Sequence, residues 1–140
     1  GHNAMQGEAG ADNDESVGIG AYALRNVSGT ADMNTAVGYA AMQGAGTGLT
    51  DAAQYNTAVG YNSLYNVTTS PYNTAMGYQA GDAIVTGSGH NTLYGYGAGG
   101  KLTTGPFNTA LGALAANDET TGSYNTMVGY SAGEHFSLCR

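Results

Sequence analysis

The sequence predicts an all-β protein: a parallel β-solenoid of the β-roll type, with about eight turns of 17–18 residues. A seven-residue motif, Tyr-Asn-Thr-Ala-Val-Gly-Tyr at 55–61, recurs with small changes along the chain. Repetition at a fixed short period is the sequence sign of a solenoid. The chain has 24 glycines and few large aliphatic residues, which favours a thin core shared along a stack of repeats.

The glycine that lies four residues after the motif asparagine measures the period. Its successive copies are Gly20, Gly38, Gly60, Gly77, Gly95, Gly112 and Gly129. Most intervals are 17 or 18 residues, and the interval after Gly38 is 22. Residues 2–7 look like a degenerate first copy. We therefore interpret 1–140 as one repetitive domain with an irregular acidic stretch at 8–15, an insertion at about 43–50 that loops out, and an irregular tail at 134–140.

Each unit is too short for a helix hairpin, and Gly, Asn and Thr are poor helix formers. Two short strands, each closed by a turn, fill such a unit. Thr57, Val59 and Tyr61 alternate with Asn56, Ala58 and Gly60. We expect the Thr-Val-Tyr set to face the interior and the bare Asn-Ala-Gly set to admit another sheet or chain. A three-sided β-helix is the competing fold, because about 18 residues can also form one triangular turn.

In-register stacking predicts columns of like residues along the solenoid. We expect an asparagine ladder, hydrogen-bonded through its side-chain amides, formed by Asn3, Asn34, Asn56, Asn73, Asn91, Asn108 and Asn125. We expect stacked rings in the position before the asparagine, formed by Tyr55, Tyr72, His90, Phe107 and Tyr124. The motif glycines, Gly20 to Gly129 as given above, are the expected close-packing positions.

Charge argues against nucleic acid as a partner, and the lack of a long apolar run argues against membrane insertion. The formal net charge is −7, and Arg25, Lys101 and Arg140 are the only Lys or Arg residues. Binding to nucleic acid requires a basic surface, which this chain cannot form. No apolar run approaches the roughly 20 residues that span a bilayer, so we expect no membrane insertion. The single Cys139 excludes a disulfide framework within the chain.

No pattern of catalytic or metal-binding residues stands out. The acidic runs 12–15 and 117–119 could offer oxygen ligands to calcium, but neither has the EF-hand spacing. His2, His90 and His135 have no metal ligands at a suitable spacing, and no Gly-x-Ser-x-Gly elbow is present. We therefore expect neither a cofactor nor enzymatic activity.

The repeat resembles known fibre proteins. Asn-Thr-Ala-Val-Gly-Tyr-x-Ala, followed by Thr-Thr-Gly, resembles repeats of bacteriophage tail fibres and other long fibres. The segment Ser-Val-Gly-Ile-Gly at 16–20 is similar to the Ser-Val-Ala-Ile-Gly repeat of trimeric autotransporter adhesin heads. The resemblance implies a parallel β-roll, assembled as a homotrimer, in an extracellular or virion fibre that contacts a host surface.

The expected function is a structural fibre segment that spaces or presents an adhesive tip. Its expected partners are copies of itself, as a trimer, and a glycan or protein of a host surface. The alternative is a β-solenoid module that binds glycans or another surface, as in a bacterial adhesin head, or that binds ice through exposed threonine rows.

Overall fold

Seven three-residue strands form one parallel sheet in the computed structural model, which describes residues 1–6, 15–44, 48–50 and 52–134. The strands are β1 (Val17–Ile19), β2 (Thr35–Val37), β3 (Thr57–Val59), β4 (Thr74–Met76), β5 (Thr92–Tyr94), β6 (Thr109–Leu111) and β7 (Thr126–Val128). They pair only with their sequence neighbours, in the order β1 to β7. The predicted all-β parallel solenoid is thereby confirmed, with about six turns and not the eight expected.

The stacking is in register at every step. Thr57 pairs with Thr74, and Ala58 pairs with Ala75. Backbone hydrogen bonds hold both ends of each strand to its neighbours, as in Thr57 N–H to Asn73 O and Gly60 N–H to Val37 O, both 2.8 Å. Equivalent residues of all coils therefore form straight columns along the axis, and each coil offers its neighbour a nearly identical surface.

The half of each coil that follows the strand is a chain of turns with alternating backbone handedness. The residues two and four positions after the motif glycine have positive φ in every coil: Tyr22 and Leu24, Ala40 and Met42, Asn62 and Leu64, Gln79 and Gly81, Gly97 and Gly99, Leu114 and Ala116, Ser131 and Gly133. The sequence analysis expected two short strands in each unit, whereas the described residues have one named strand in each coil and turns in this half. No helix in the described part of the chain is long and apolar enough to cross a bilayer.

The same turn pattern corrects the alignment of the N-terminal residues. Asn3 and Met5 have positive φ, and the Met5 N–H donates to Ala23 O just as the Leu24 N–H donates to Ala41 O. Gly1 is therefore the equivalent of the motif glycines, and Asn3 occupies the column of Tyr22. The prediction that Asn3 belongs to the asparagine ladder is wrong, and Gly7, its proposed motif glycine, lies outside the described residues.

The predicted orientation of the strand faces is also wrong. Asn56 and Ala58 are buried, at 1% and 0% exposure, whereas Tyr61 is 45% exposed. The interior is narrow because two rows of small side chains line it, the strand centres and the residues three after the glycine, such as Ser63. Larger Thr, Val and Tyr side chains do not fit between these walls and point outwards. The sequence pattern could not reveal this, because both faces of the motif contain apolar residues.

Residue volume is balanced within coils. Each coil takes the number of its strand. In the third coil, which contains β3, the central strand residue is Ala58, and Leu64 fills the core from the turn. In the fifth coil the large residue is the strand centre, Leu93, and the turn position is Gly99, whose Cβ would lie 2.9 Å from Leu93 Cδ2. In the same way, a Cβ on Gly133 would collide with the Met127 side chain. In these two coils a large strand residue is matched by glycine at the turn. In the fourth coil both positions are small, Ala75 and Gly81, and Leu93 of the fifth coil fills the space, since a Cβ on Gly81 would lie 2.8 Å from Leu93 Cδ1.

The longer second coil rejoins the stack before the end of the predicted insertion at 43–50. Leu49 is fully buried and forms a parallel bridge with Val27, while the Asn26 N–H donates to Gln43 O at 3.0 Å. Both Gln43 and Leu49 are therefore in register with the first coil, and the extra residues lie between them. Residues 45–47, most of the acidic stretch at 8–15 and the tail from 135 lie outside the described residues.

We predict that the core exchange in the fifth coil is transferable. Leu93→Ala alone should lower the free energy of unfolding by about 2–5 kcal/mol through cavity formation. Gly99→Leu alone should cost about 1–3 kcal/mol through overpacking. The double variant reproduces the Ala58/Leu64 arrangement and should be more stable than Leu93→Ala. Urea denaturation of all four proteins measures the coupling, and strictly additive losses would contradict the compensation.

Candidate functional site

An asparagine ladder lies inside the solenoid, and each of its asparagines directly precedes a strand. The Asn56 side-chain oxygen accepts the Asn73 N–H at 2.8 Å and the Asn73 Nδ2 at 3.2 Å. The same backbone-to-Oδ1 bond recurs between the ladder residues Asn34, Asn56, Asn73, Asn91, Asn108 and Asn125, at 2.8–3.1 Å. Ser16 Oγ takes the position of the amide in the first coil and accepts the Asn34 N–H. The ladder satisfies buried backbone donors that the short strands leave unpaired.

The motif glycines approach the next coil of the same chain. Gly60 has φ +133°, and a Cβ built on it would collide with the carbonyl oxygen of Gly77. The same collision with the next glycine would occur at Gly20, Gly38, Gly77, Gly95 and Gly112. These residues are therefore required by coil-to-coil contact and by their backbone angle. The sequence analysis expected another sheet or chain at these glycines; the neighbour is instead the adjacent coil of the same chain.

The predicted aromatic positions form a continuous stack on the outside of the solenoid. Tyr55, Tyr72, His90, Phe107 and Tyr124 follow one another with ring centroids 4.8–4.9 Å apart and interplanar angles of 3–26°. All five have φ between +58° and +63°, a left-handed conformation that is unfavourable for bulky residues. The stacking and the coil-to-coil hydrogen bonds hold these strained residues in place.

A second aromatic column was missed by the sequence analysis, which placed the tyrosine after the motif glycine inside. The rings of Tyr39, Tyr61, Tyr78 and Tyr96 stack at 5.2–5.3 Å with interplanar angles of 8–10°. All four are exposed. The sequence signal for this column is the recurrence of Tyr directly after the motif glycine. It predicts a stack of exposed rings once these side chains are placed on the outside of the solenoid.

Together these residues form a surface that we call the outer face. It consists of four parallel columns: the ring before the asparagine, the first strand residue, the third strand residue and the tyrosine after the glycine. From Met33 to Tyr130 none of the four columns contains Asp, Glu, Lys or Arg. Half-buried or exposed side chains such as Val59, Met76, Tyr94 and Leu111 fill its middle. The outer face is an uncharged surface of threonine, aliphatic and aromatic side chains.

The outer face is a large surface. Its four columns span six Cα-to-Cα steps, at most about 20 Å, and the six coils from Met33 to Tyr130 span five steps of about 4.8 Å, roughly 24 Å. The product, on the order of 500 Å², lies within the range of the largest apolar patches on monomeric proteins, which are often functional. It is more than half of the roughly 800 Å² that each partner buries in a standard interface.

Charged residues lie on the turns. Lys101 Nζ and Asp118 Oδ1 form an exposed ion pair at 2.7 Å, and Glu119 Oε1 accepts the N–H groups of residues 120–122. These contacts occupy two carboxylates of the predicted calcium candidate at 117–119. The candidate at 12–15 is outside the described residues except for Glu15. Within the described ranges, no three His, Cys, Asp or Glu side chains are grouped to hold a metal ion.

One turn carboxylate is perturbed by its surroundings. Burial raises the pKa of the Asp82 carboxyl above its usual range, and hydrogen bonds to the backbone at Asp82 and Ala83 oppose the rise. Asp82 lines a recess of about 300 Å³ on the turn side of the solenoid. The carboxylate is therefore partly withdrawn from water beside an open cavity.

No protein-family model, curated protein or solved structure matches the chain. The features of the chain that bear on its function are the ladder, the glycine column, the outer face and the turn-side recess.

We predict that interrupting the ladder destabilises the protein more than removing a peripheral amide. Asn73→Ala leaves the buried Asn91 N–H without its acceptor, at a cost of about 1–3 kcal/mol for each unsatisfied group. Asn66→Ala removes only the partly buried bond to Asp82 O and serves as the control. Thermal unfolding monitored by circular dichroism should show the larger fall in Tm for Asn73→Ala; equal falls would contradict a structural role for the ladder.

We predict that Gly60 and Gly87, which both have positive φ, differ in their tolerance of an alanine substitution. Gly87→Ala should cost about 1–2 kcal/mol, the penalty of a left-handed L-residue, because no atom lies within 4 Å of the added Cβ. In Gly60→Ala the added Cβ would collide with Gly77 O, and φ of +133° is less favourable for an L-residue than φ of +66° at Gly87. We therefore expect Gly60→Ala to prevent regular stacking around that coil. Hydrogen exchange of the amides of β3 and β4 measures the effect; similar protection in both variants would refute it.

Proposed function

We propose that this chain is a structural fibre segment in which identical copies associate through the outer face, as a homotrimer. The fibre would be extracellular or part of a virion and would space or present an adhesive tip. The observation that carries the proposal is the outer face itself, which keeps the same uncharged columns through successive coils. No chemical step is required of the chain, and its function is to provide length and a surface for association.

The composition of the outer face supports association between copies. The cores of protein interfaces are poor in charged residues and rich in aromatic side chains. Identical columns on each copy can pack at many coils at once, so weak contacts add along the fibre. The trimeric state is the one implied by the resemblance to tail fibres and adhesin heads, in which three β-rolls share one axis.

The stacked rings also bear on the glycan-binding alternative. Within each column the ring faces cover one another at about 5 Å, so mainly ring edges point outwards. A sugar ring packs best on an exposed aromatic face. The outer face is thus better suited to packing against another apolar surface than to binding a glycan. The threonine column that ice binding would need is half-buried at Thr35, Thr57, Thr74 and Thr109 and exposed only at Thr92 and Thr126.

We predict that a charge in the centre of the outer face separates the copies. Val59→Lys would place an unpaired ammonium in a buried interface, and we expect association to weaken at least about tenfold, equivalent to about 1.4 kcal/mol. Val85→Lys is the matched control, because Val85 is an exposed apolar residue outside the four columns. Sedimentation equilibrium measures both. A wild-type chain that stays monomeric at about 100 μM, a concentration at which even weak interfaces associate, would contradict the proposal.

A further inference from the structure

The turn side of the solenoid contains a recess that borders the outer face at Tyr96. Its volume is about 300 Å³, within the range of small-molecule sites. The lining residues come from three successive coils: Gln79, Asp82, Tyr96, Gly97, Gly100, Leu114 and Asn117. We call this feature the notch.

The notch exists because one coil lacks two side chains. The residues two and five positions after the motif glycine are Gln79 and Asp82 in the fourth coil, and Leu114 and Asn117 in the sixth. In the fifth coil both are glycine, Gly97 and Gly100. Both columns therefore carry side chains in the fourth and sixth coils but none in the fifth. The backbone of the fifth coil forms the floor of the notch.

Polar oxygens converge on this floor from both walls. An ideal Cβ on Gly100 would lie 2.8 Å from Asn117 Oδ1 and 3.6 Å from Asp82 Oδ1. The two oxygens thus lie beside Gly100, and both residues line the recess. Gln79 adds a third planar polar group to the lining. A ligand with several hydroxyl groups can donate to the oxygens and accept from the amides.

Tyr96 differs from the other stacked tyrosines. Tyr78 covers one side of its ring at 5.2 Å, but the next residue of the column is Ala113, which has no ring. The next tyrosine, Tyr130, lies two coils away, or about 9.6 Å at the ordinary strand spacing. A gap of two stacking distances therefore opens beside Tyr96, which also lines the notch.

We propose that the notch binds one pyranose ring of a saccharide, with Tyr96 as the apolar platform and Asp82, Asn117 and Gln79 as hydrogen-bonding partners. One aromatic surface beside several planar polar side chains matches a sugar ring, which has apolar C–H faces and a rim of hydroxyl groups. This binding goes beyond the structural role; the notch shares Tyr96 with the outer face, and its other lining residues lie on the turns.

The other ligand classes fit the notch less well. An anion would meet the Asp82 carboxylate in a chain of net charge −7. A calcium ion takes six to eight oxygen ligands, and the lining offers one carboxylate with amide oxygens. An organic cation could pair with Asp82, but only one aromatic ring lines the site, too few for an aromatic cage. A neutral polyhydroxylated ring uses all of the groups present.

Saturation-transfer difference NMR with four methyl glycosides, those of glucose, galactose, mannose and N-acetylglucosamine, tests the proposal on the intact chain. We expect at least one to bind with a Kd on the order of 1 mM, as for a single shallow site. Ala113→Tyr should fill the gap beside Tyr96 and weaken binding at least about tenfold, and Asp82→Asn should do the same by removing a charged acceptor.

Matched controls separate loss of the site from loss of the fold. Ala21→Tyr makes the same change in the same column, far from the notch. Asp118→Asn removes the same charge outside the lining. Both should retain wild-type affinity, and all four variants should keep the wild-type circular dichroism spectrum. The proposal is overturned if no glycoside gives a signal at about ten times the expected Kd, if Ala113→Tyr and Asp82→Asn bind as wild type, or if only Ca²⁺ or tetramethylammonium binds.

Discussion

The structure depends on register between coils, which the buried asparagine ladder enforces. Three-residue strands provide few backbone hydrogen bonds, so a slip between neighbouring coils would otherwise cost little. Each ladder amide accepts the backbone N–H of the next, as Asn56 does from Asn73, and a slip of one residue would leave buried donors and acceptors unpaired. The aromatic stacks, the glycine column and the narrow core all require this register, because each joins equivalent residues of adjacent coils.

The narrow interior explains the composition. A coil of about 17 residues closes around small side chains, so Ala and Ser line both walls and larger residues occupy the turn. Where a larger residue enters the strand, the turn residue shrinks, as in the pair Leu93 and Gly99. Such exchanges let the coils vary in sequence while the interior stays filled, which preserves the stacking.

The outward placement of the large residues produces both surfaces of interest. The chain turns its threonine, aliphatic and aromatic columns to solvent, and so has an uncharged outer face, through which we propose that copies associate. The turns carry charged residues such as Asp82 and Lys101, and the two glycines of the fifth coil, Gly97 and Gly100, create the notch. Repetition therefore builds the outer face, and a local departure from repetition builds the notch.

The sequence by itself determined the solenoid, its parallel in-register stacking and the columns, because period and in-register stacking follow from spacing alone. It located the asparagines from Asn34 onwards and the rings from Tyr55 to Tyr124 in shared columns. Only the tertiary structure decided which face is inside, because both faces of Tyr55–Tyr61 carry apolar residues and the choice depends on the width of the closed coil. It also decided that Gly1 belongs to the glycine column, against Gly20. The notch likewise required the tertiary structure, since Asp82, Tyr96 and Asn117 meet only when three coils are stacked.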